Sequence, residues 1–172
     1  NDTINRKVPV KVQSQLLLNE KIVDITLGYS HTGVKTESNR IFVWGSNNFG
    51  QLGLNDTENR HIPTEIPKRF FNNEIIYQIS FGLDRSSMAL SFSGIVFSRR
   101  KNNHGELGLN NNILETNVPA QIPQHFFFFL KVVDIKMGSR HSAALTKSGN
   151  LFLWGSNKYG QLGTDDKIDR QI

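Results

Sequence analysis

The stretches FVWGSNNFGQLG (residues 42–53) and FLWGSNKYGQLG (residues 152–163) differ at three of twelve positions. Between them lies FSRRKNNHGELG (residues 97–108), which keeps the last two glycines but sets Arg99 and Arg100 where the others have Trp-Gly. Gly50, Gly105 and Gly160 are 55 residues apart, as are Gly53, Gly108 and Gly163. Gly28, Gly82 and Gly138 are 54 and 56 apart, and Pro9, Pro63 and Pro119 share that spacing. Laying SMALSFSG (87–94) over SAALTKSG (142–149) at an offset of 55 places one extra residue between Gly82 and Ser87. The chain is therefore three copies of one unit, and repetition at this period decides the fold before composition does.

Each unit opens on an alternating segment: Val23, Ile25 and Leu27, then Tyr77, Ile79 and Phe81, then Val133, Ile135 and Met137, with polar residues between them. Period two predicts a half-buried strand. A second apolar run follows, then a Ser-Asn or Ser-Gly corner at 38–39, 93–94 and 148–149, then a third strand. These corners predict hairpins, because Asn and Gly enter left-handed turns cheaply. After the Gly-Gln/Glu-Leu-Gly turn comes a polar loop and a last extended piece headed by proline, at 8–12, 62–66 and 118–122. Four short strands per unit predict an all-β chain of β-propeller blades, about three of them, forming a partial propeller. The blades are expected over 22–66, 76–122 and 132–172, with 1–12 the end of a preceding blade.

The segments IVDITLGYSHTG…IFVWGSNNFGQLG, IYQISFGLDRSSMAL…IVF…NNHGELG and VVDIKMGSRHSAALTKSGNLFLWGSNKYGQLG resemble the repeat of the regulator of chromosome condensation family. That resemblance covers essentially the whole chain and implies a seven-bladed ring. At this period seven blades need about 385 residues, against 172 here, so the expected state is an excerpt of a longer protein or a chain completed by other copies. Its end blades are expected to present bare apolar faces that favour the remaining blades or self-association.

Bulk properties fit this reading. No run of about 18 apolar residues occurs, so no membrane partner is expected. The absence of cysteine excludes disulfides and cysteine-ligated zinc. The net charge of +5 is scattered except at Arg99, Arg100 and Lys101. The five histidines show no metal spacing, and no catalytic triad order or paired-carboxylate motif is present, so no enzyme and no cofactor are expected. The Gly50–Gly53 turn and its copies at Gly105–Gly108 and Gly160–Gly163 carry no following Lys-Ser/Thr, so they read as turns rather than phosphate cradles. Trp44 and Trp154 read as packing residues.

The resemblance implies a protein-binding ring, with guanine-nucleotide exchange on a Ran-type small GTPase, contact with the nucleosome, and a nuclear or cytoplasmic location. In the family's exchange factors the GTPase is engaged by an acidic residue before the corner histidine and by some of the histidines. Carried over, these positions fall on Ser30 and His31, on Asp84 with Arg85, and on Arg140 and His141; only Asp84 is acidic. The histidine position of the middle copy is Arg85 or Ser86, depending on where the extra residue sits. The alternative is a scaffold or substrate-recruiting module of a larger protein such as a ubiquitin ligase or kinase. Arg99 and Arg100 are expected at a strand end turned outward, forming with Lys101 a solvated or anion-contacting rim, because an unpaired guanidinium cannot fill a tryptophan's buried place. The paired apolar residues between copies (Leu16-Leu17, Phe70-Phe71, Phe126-Phe127) are expected to pack between blades, with Phe128 and Phe129 in surplus.

Overall fold

The alternating segments form the first strand of each of three antiparallel sheets. The computed structural model describes residues 5–99, 105, 107–109 and 116–170. The first sheet runs β1 (Ile22–Leu27), β2 (His31–Thr36), β3 (Ile41–Gly45) and β4 (Arg60–Glu65), in chain order. The second runs β5 (Ile76–Phe81), β6 (Ser87–Ser91), β7 (Val96–Arg99) and β8 (Ala120–Gln121). The third holds β9 (Val132–Met137), β10 (His141–Thr146) and β11 (Leu151–Gly155). Each strand lies beside its predecessor, which is the up-and-down order of a propeller blade. In the third sheet one antiparallel bridge, Gly155 to Arg170, stands where β3 and β4 pair Gly45 with Arg60. The hairpin corners carry positive φ at Asn39 (62°), Gly94 (93°) and Gly149 (85°).

Strand register settles the alignment of the middle copy. Thr32 faces Trp44, Ser87 faces Arg99 and Ser142 faces Trp154. Arg99 thus holds the tryptophan's register place. His31 and His141, one residue before their partners in this set, face Gly45 and Gly155. Ser86 therefore takes the histidine's place, and the extra residue lies in the turn ahead of it. The backbone agrees: Gly28, Gly82 and Gly138 each donate their N–H to the carbonyl of His31, Ser86 and His141, all at 2.9 Å.

Two apolar seams join the sheets. Ile79 and Phe81 of β5 pack on Ile41 and Val43 of the first sheet, and Ile135 and Trp154 pack with Met88, Leu90 and Val96 of the second. Side chains on the first strands stitch neighbouring blades: Thr26 Oγ1 accepts from the Phe81 N–H, and Ser80 Oγ accepts from the Met137 N–H, both at 3.1 Å. The outer faces lack such neighbours. Ile25 and Leu27 are 63% and 64% exposed, whereas Ile79 and Ile135, in the same repeat place as Ile25, are 7% and 1% exposed. At the other end Leu151 is 63% exposed while its counterparts Ile41 and Val96 are buried. Covering each such side chain is worth about 1.5–3 kcal/mol, so the two faces are strong sites for further blades.

The apolar connectors wind into single 3-10 turns at Gln15–Leu17, Lys68–Phe71 and Gln124–Phe127. Phe71 and Phe127 plug inward and meet Phe97 and Phe152 edge-on at 5.6 and 5.5 Å. Phe128 and Phe129 follow at positive φ (51° and 58°), where the preceding connector has Asn72 and Asn73 (52° and 61°). Residues 8–12 form no strand, contrary to expectation, and Val8, Val10 and Val12 are exposed. A strand needs a ladder partner, and no described strand pairs with these residues.

Candidate interaction rim and the seam arginine

The turns after β1, β5 and β9 lie at one end of the sheets together with the polar loops after β3 and β11. Ser46 and Ser156 N–H groups bond the carbonyls of Ser30 and Arg140, which ties each loop to its corner. Buried Asn47 and Asn157 hold these loops in shape: Asn47 Oδ1 accepts from the Leu52 N–H at 2.8 Å, and Asn157 Oδ1 from the Leu162 N–H at 2.9 Å. Their amide nitrogens donate to Asp56 and Asp166, which pair in turn with Arg60 and Arg170.

At the corners the histidines turn inward. His31 is buried and stacks on Phe81 of the next blade, with centroids 4.4 Å apart. Its imidazole occupies the space a side chain at residue 28 would need: a Cβ on Gly28 would lie 2.1 Å from His31 Cε1. The same holds at Gly138, 2.2 Å from His141 Cε1. In the middle blade Asp84 Oδ1 accepts from Ser86 Oγ at 2.5 Å and from the Ser86 N–H at 3.2 Å. This is a self-contained Asx-type turn in the place of the imidazole. The carboxylate that the exchange-factor pattern asks for is thereby engaged within its own loop. Arg85, in a left-handed conformation (φ 81°), lays its guanidinium 4.1 Å above the Phe49 ring of the first blade. That geometry is a cation–π contact across the seam.

What faces solvent at the corners is the residue just after each glycine and its neighbours. Tyr29 is 71% exposed and Leu83 61% exposed, and Ser139 and Arg140 are exposed beside them. Tyr159, at the loop position of Phe49, is 82% exposed. Sequence reasoning fixed on the recurring histidines and missed Tyr29 and Leu83. The signal was their offset: a residue following a glycine whose neighbour folds inward must point out. Of the expected rim residues, then, Arg140 is exposed and Asp84 and Arg85 are half-buried, while buried His31 and half-buried His141 act as wedges behind them.

Arg99 is where the expectation fails. Instead of turning outward it is 3% exposed, in the tryptophan's place at the seam between the first two blades. Its Nη1 donates to the Gly50 carbonyl, and its Nε would lie 2.8 Å from a Cβ on Gly53. The glycine turn of one blade is thus the floor for the arginine of the next, and the missing Cβ atoms make the approach possible. Trp154 does the equivalent at the other seam, fully buried with its ring 5.9 Å from Phe127, and Trp44, on the outer face of the first described blade, is half-buried. Burial alone pushes the Arg99 guanidinium down, to about 9. The outward expectation underrated the backbone carbonyl, which gives the buried charge one good acceptor. Arg100 and Lys101 lie outside the described residues. Leu107 is fully buried, and its carbonyl accepts from Ser98 Oγ at 2.6 Å, so the middle turn docks on β7.

Among the described residues no three His, Asp or Glu side chains are grouped to hold a metal ion, and no helix is long and apolar enough to cross a membrane. The family description "Regulator of chromosome condensation (RCC1) repeat" matches residues 38–90 and 93–145, and a second description of the same repeat matches 22–51 and 132–161. The chain belongs to the RCC1 repeat family. It is 34% identical over 171 residues to the ultraviolet-B receptor UVR8 of Arabidopsis thaliana, covering 99% of this chain and 37% of the receptor. It is 33% identical over 159 residues to the probable E3 ubiquitin-protein ligase HERC4 of Homo sapiens, covering 91% of this chain and 14% of the ligase. Among solved structures it superposes on Prp20p of Saccharomyces cerevisiae with a TM-score of 0.74 at 23% identity, over 87% of this chain and 36% of that one. The Prp20p likeness establishes the RCC1 propeller fold. The chain spans well under half the length of each of these proteins.

Proposed function

We propose that this chain is part of a non-enzymatic, protein-binding propeller whose corner rim engages a Ran-type small GTPase and promotes nucleotide release. The observation that carries this reading is the row of exposed side chains, Tyr29, Leu83 and Arg140, held on neighbouring turns by inter-blade hydrogen bonds. Such a row is a preorganised surface, with aromatic, aliphatic and cationic groups of the kind that anchor protein interfaces. Exchange on it needs no cofactor: a rim that binds the nucleotide-free partner more tightly than the loaded form shifts the equilibrium by that difference. The structure of Prp20p is described together with its binding to Gsp1p and histones, which supports both this reading and contact with a chromatin partner.

A second reading, a scaffold or substrate-recruiting propeller, is favoured by Asp84. Its carboxylate is committed to Ser86, and no other expected contact position is acidic. The similarity to a ubiquitin ligase of which this segment spans 14% points the same way. Nucleotide release from a Ran-type GTPase, followed with a fluorescent GDP analogue and the intact protein, separates the two. Release faster than the spontaneous rate supports exchange; stable binding at the spontaneous rate supports the scaffold.

A further inference from the structure

The seam between the first and second blades holds a partly open cavity of about 20 Å³, room for one atom-sized occupant. Two polar side chains line it, Arg99 and Ser87, 3% and 4% exposed. They are direct cross-strand partners on β7 and β6, so their side chains share a face. Arg99 Nη2 and Ser87 Oγ each lack a hydrogen-bond partner among the described residues. The rest of the lining is apolar and includes Val43, Phe71, Ile79, Phe97 and Met88. No described carboxylate pairs with the guanidinium, and burial is what lowers its pKa.

Two buried polar groups, a charged donor and a hydroxyl, line a small space whose other described walls carry no side-chain oxygen or nitrogen. The occupant they call for accepts hydrogen bonds, donates none and bears a negative charge. Water can accept from Arg99 and donate one proton to Ser87 Oγ, but its other proton meets no described side-chain acceptor, and a neutral molecule leaves the guanidinium charge unbalanced. An oxyanion or carboxylate exceeds one atom in size. A halide satisfies all of these conditions and neutralises the buried charge. We infer that this seam is a binding site for a chloride-sized monovalent anion, held by Arg99 Nη2 and Ser87 Oγ, which locks the second blade onto the first. The ordinary repeat fills the place with a tryptophan; this blade replaces it with an arginine and an ion, making blade docking responsive to halide.

The test is thermal unfolding of the intact protein at constant ionic strength, with sodium chloride or bromide exchanged for sodium gluconate, whose anion is too large for the cavity. Halide at about ten times its Kd is expected to raise Tm saturably by about 3–5 °C. Arg99→Met abolishes the response, and Ser87→Ala, which keeps the charge, shifts it to higher halide concentration. Anomalous scattering from bromide-grown crystals places a peak between Arg99 and Ser87. An equal response in gluconate, an equal response in Arg99→Met, or a cavity holding water alone in bromide overturns the inference.

Discussion

Replacing Arg99 by methionine should stabilise this protein, against the usual rule that truncating a fully buried side chain destabilises. The wild-type guanidinium is desolvated and, among the described residues, makes one hydrogen bond, to the Gly50 carbonyl, while Nη2 has none. An unsatisfied buried donor costs about 1–3 kcal/mol, and more when charged. Methionine has a similar unbranched stem, fills irregular space and carries no charge. It forfeits the bond to Gly50, worth about 1 kcal/mol. The balance favours the variant by about 1–2 kcal/mol, inside the range seen when buried charges give way to apolar side chains. For a chain of this size that is a rise of about 3–6 °C in Tm. Thermal and urea unfolding in chloride-free buffer read it directly, and added chloride narrows the gap by stabilising only the wild type. A variant destabilised by more than 1 kcal/mol in chloride-free buffer would refute the reasoning, because it would mean that Arg99 is satisfied by groups other than those described.

Other consequences follow from the same geometry. Gly28→Ala puts a methyl within 2.1 Å of the buried His31 ring, so it should cost about 2–3 kcal/mol in urea unfolding and expel His31 from its stack on Phe81. Phe129→Asn, at a left-handed position where the preceding connector has Asn73, should gain about 0.5–1 kcal/mol and lower binding of an apolar dye. Asp134 bridges the second and third blades through Gln78. Burial pushes its carboxyl up, but hydrogen bonds from Lys136, Gln78 and the Ile135 N–H outweigh this and hold it below its usual value. Its folded pKa is thus depressed, so its contribution is whole above about pH 4 and is lost as pH falls through the lower folded value. Asp134→Asn should flatten that part of the acid-stability curve.

How far the sequence reached depended on what kind of physics set each feature. The blades were legible because glycines at fixed spacing and period-two apolar residues act locally: a positive φ at Gly50 or Asn39 belongs to the turn itself. The position of the extra residue was half legible. Register alone separates Ser86 from Arg85, and register is a property of paired strands. Arg99 was misjudged because its acceptor, Gly50, lies 49 residues away on another blade, and nothing near Arg99 in the chain announces it. The 3-10 turns were hidden for a different reason: FF and FFFF read as apolar runs, and only the packing of Phe71 and Phe127 on neighbouring strands fixes the winding. The exposed corner residues were overlooked because recurrence drew attention to the histidines, whose recurrence reflects their fit over Gly28 and Gly138.

The measurement that bears most directly on the functional claim is the affinity of the intact protein for a nucleotide-free Ran-type GTPase, compared between the wild type, Arg140→Glu and the control Lys147→Glu. Lys147 is exposed on the hairpin that connects β10 and β11, at the opposite end of the sheet from the corners. Rim binding predicts a loss of about tenfold or more for Arg140→Glu, as expected for a charge reversal within an interface, with Lys147→Glu unchanged. Equal affinities for all three, with each protein folded, would contradict it.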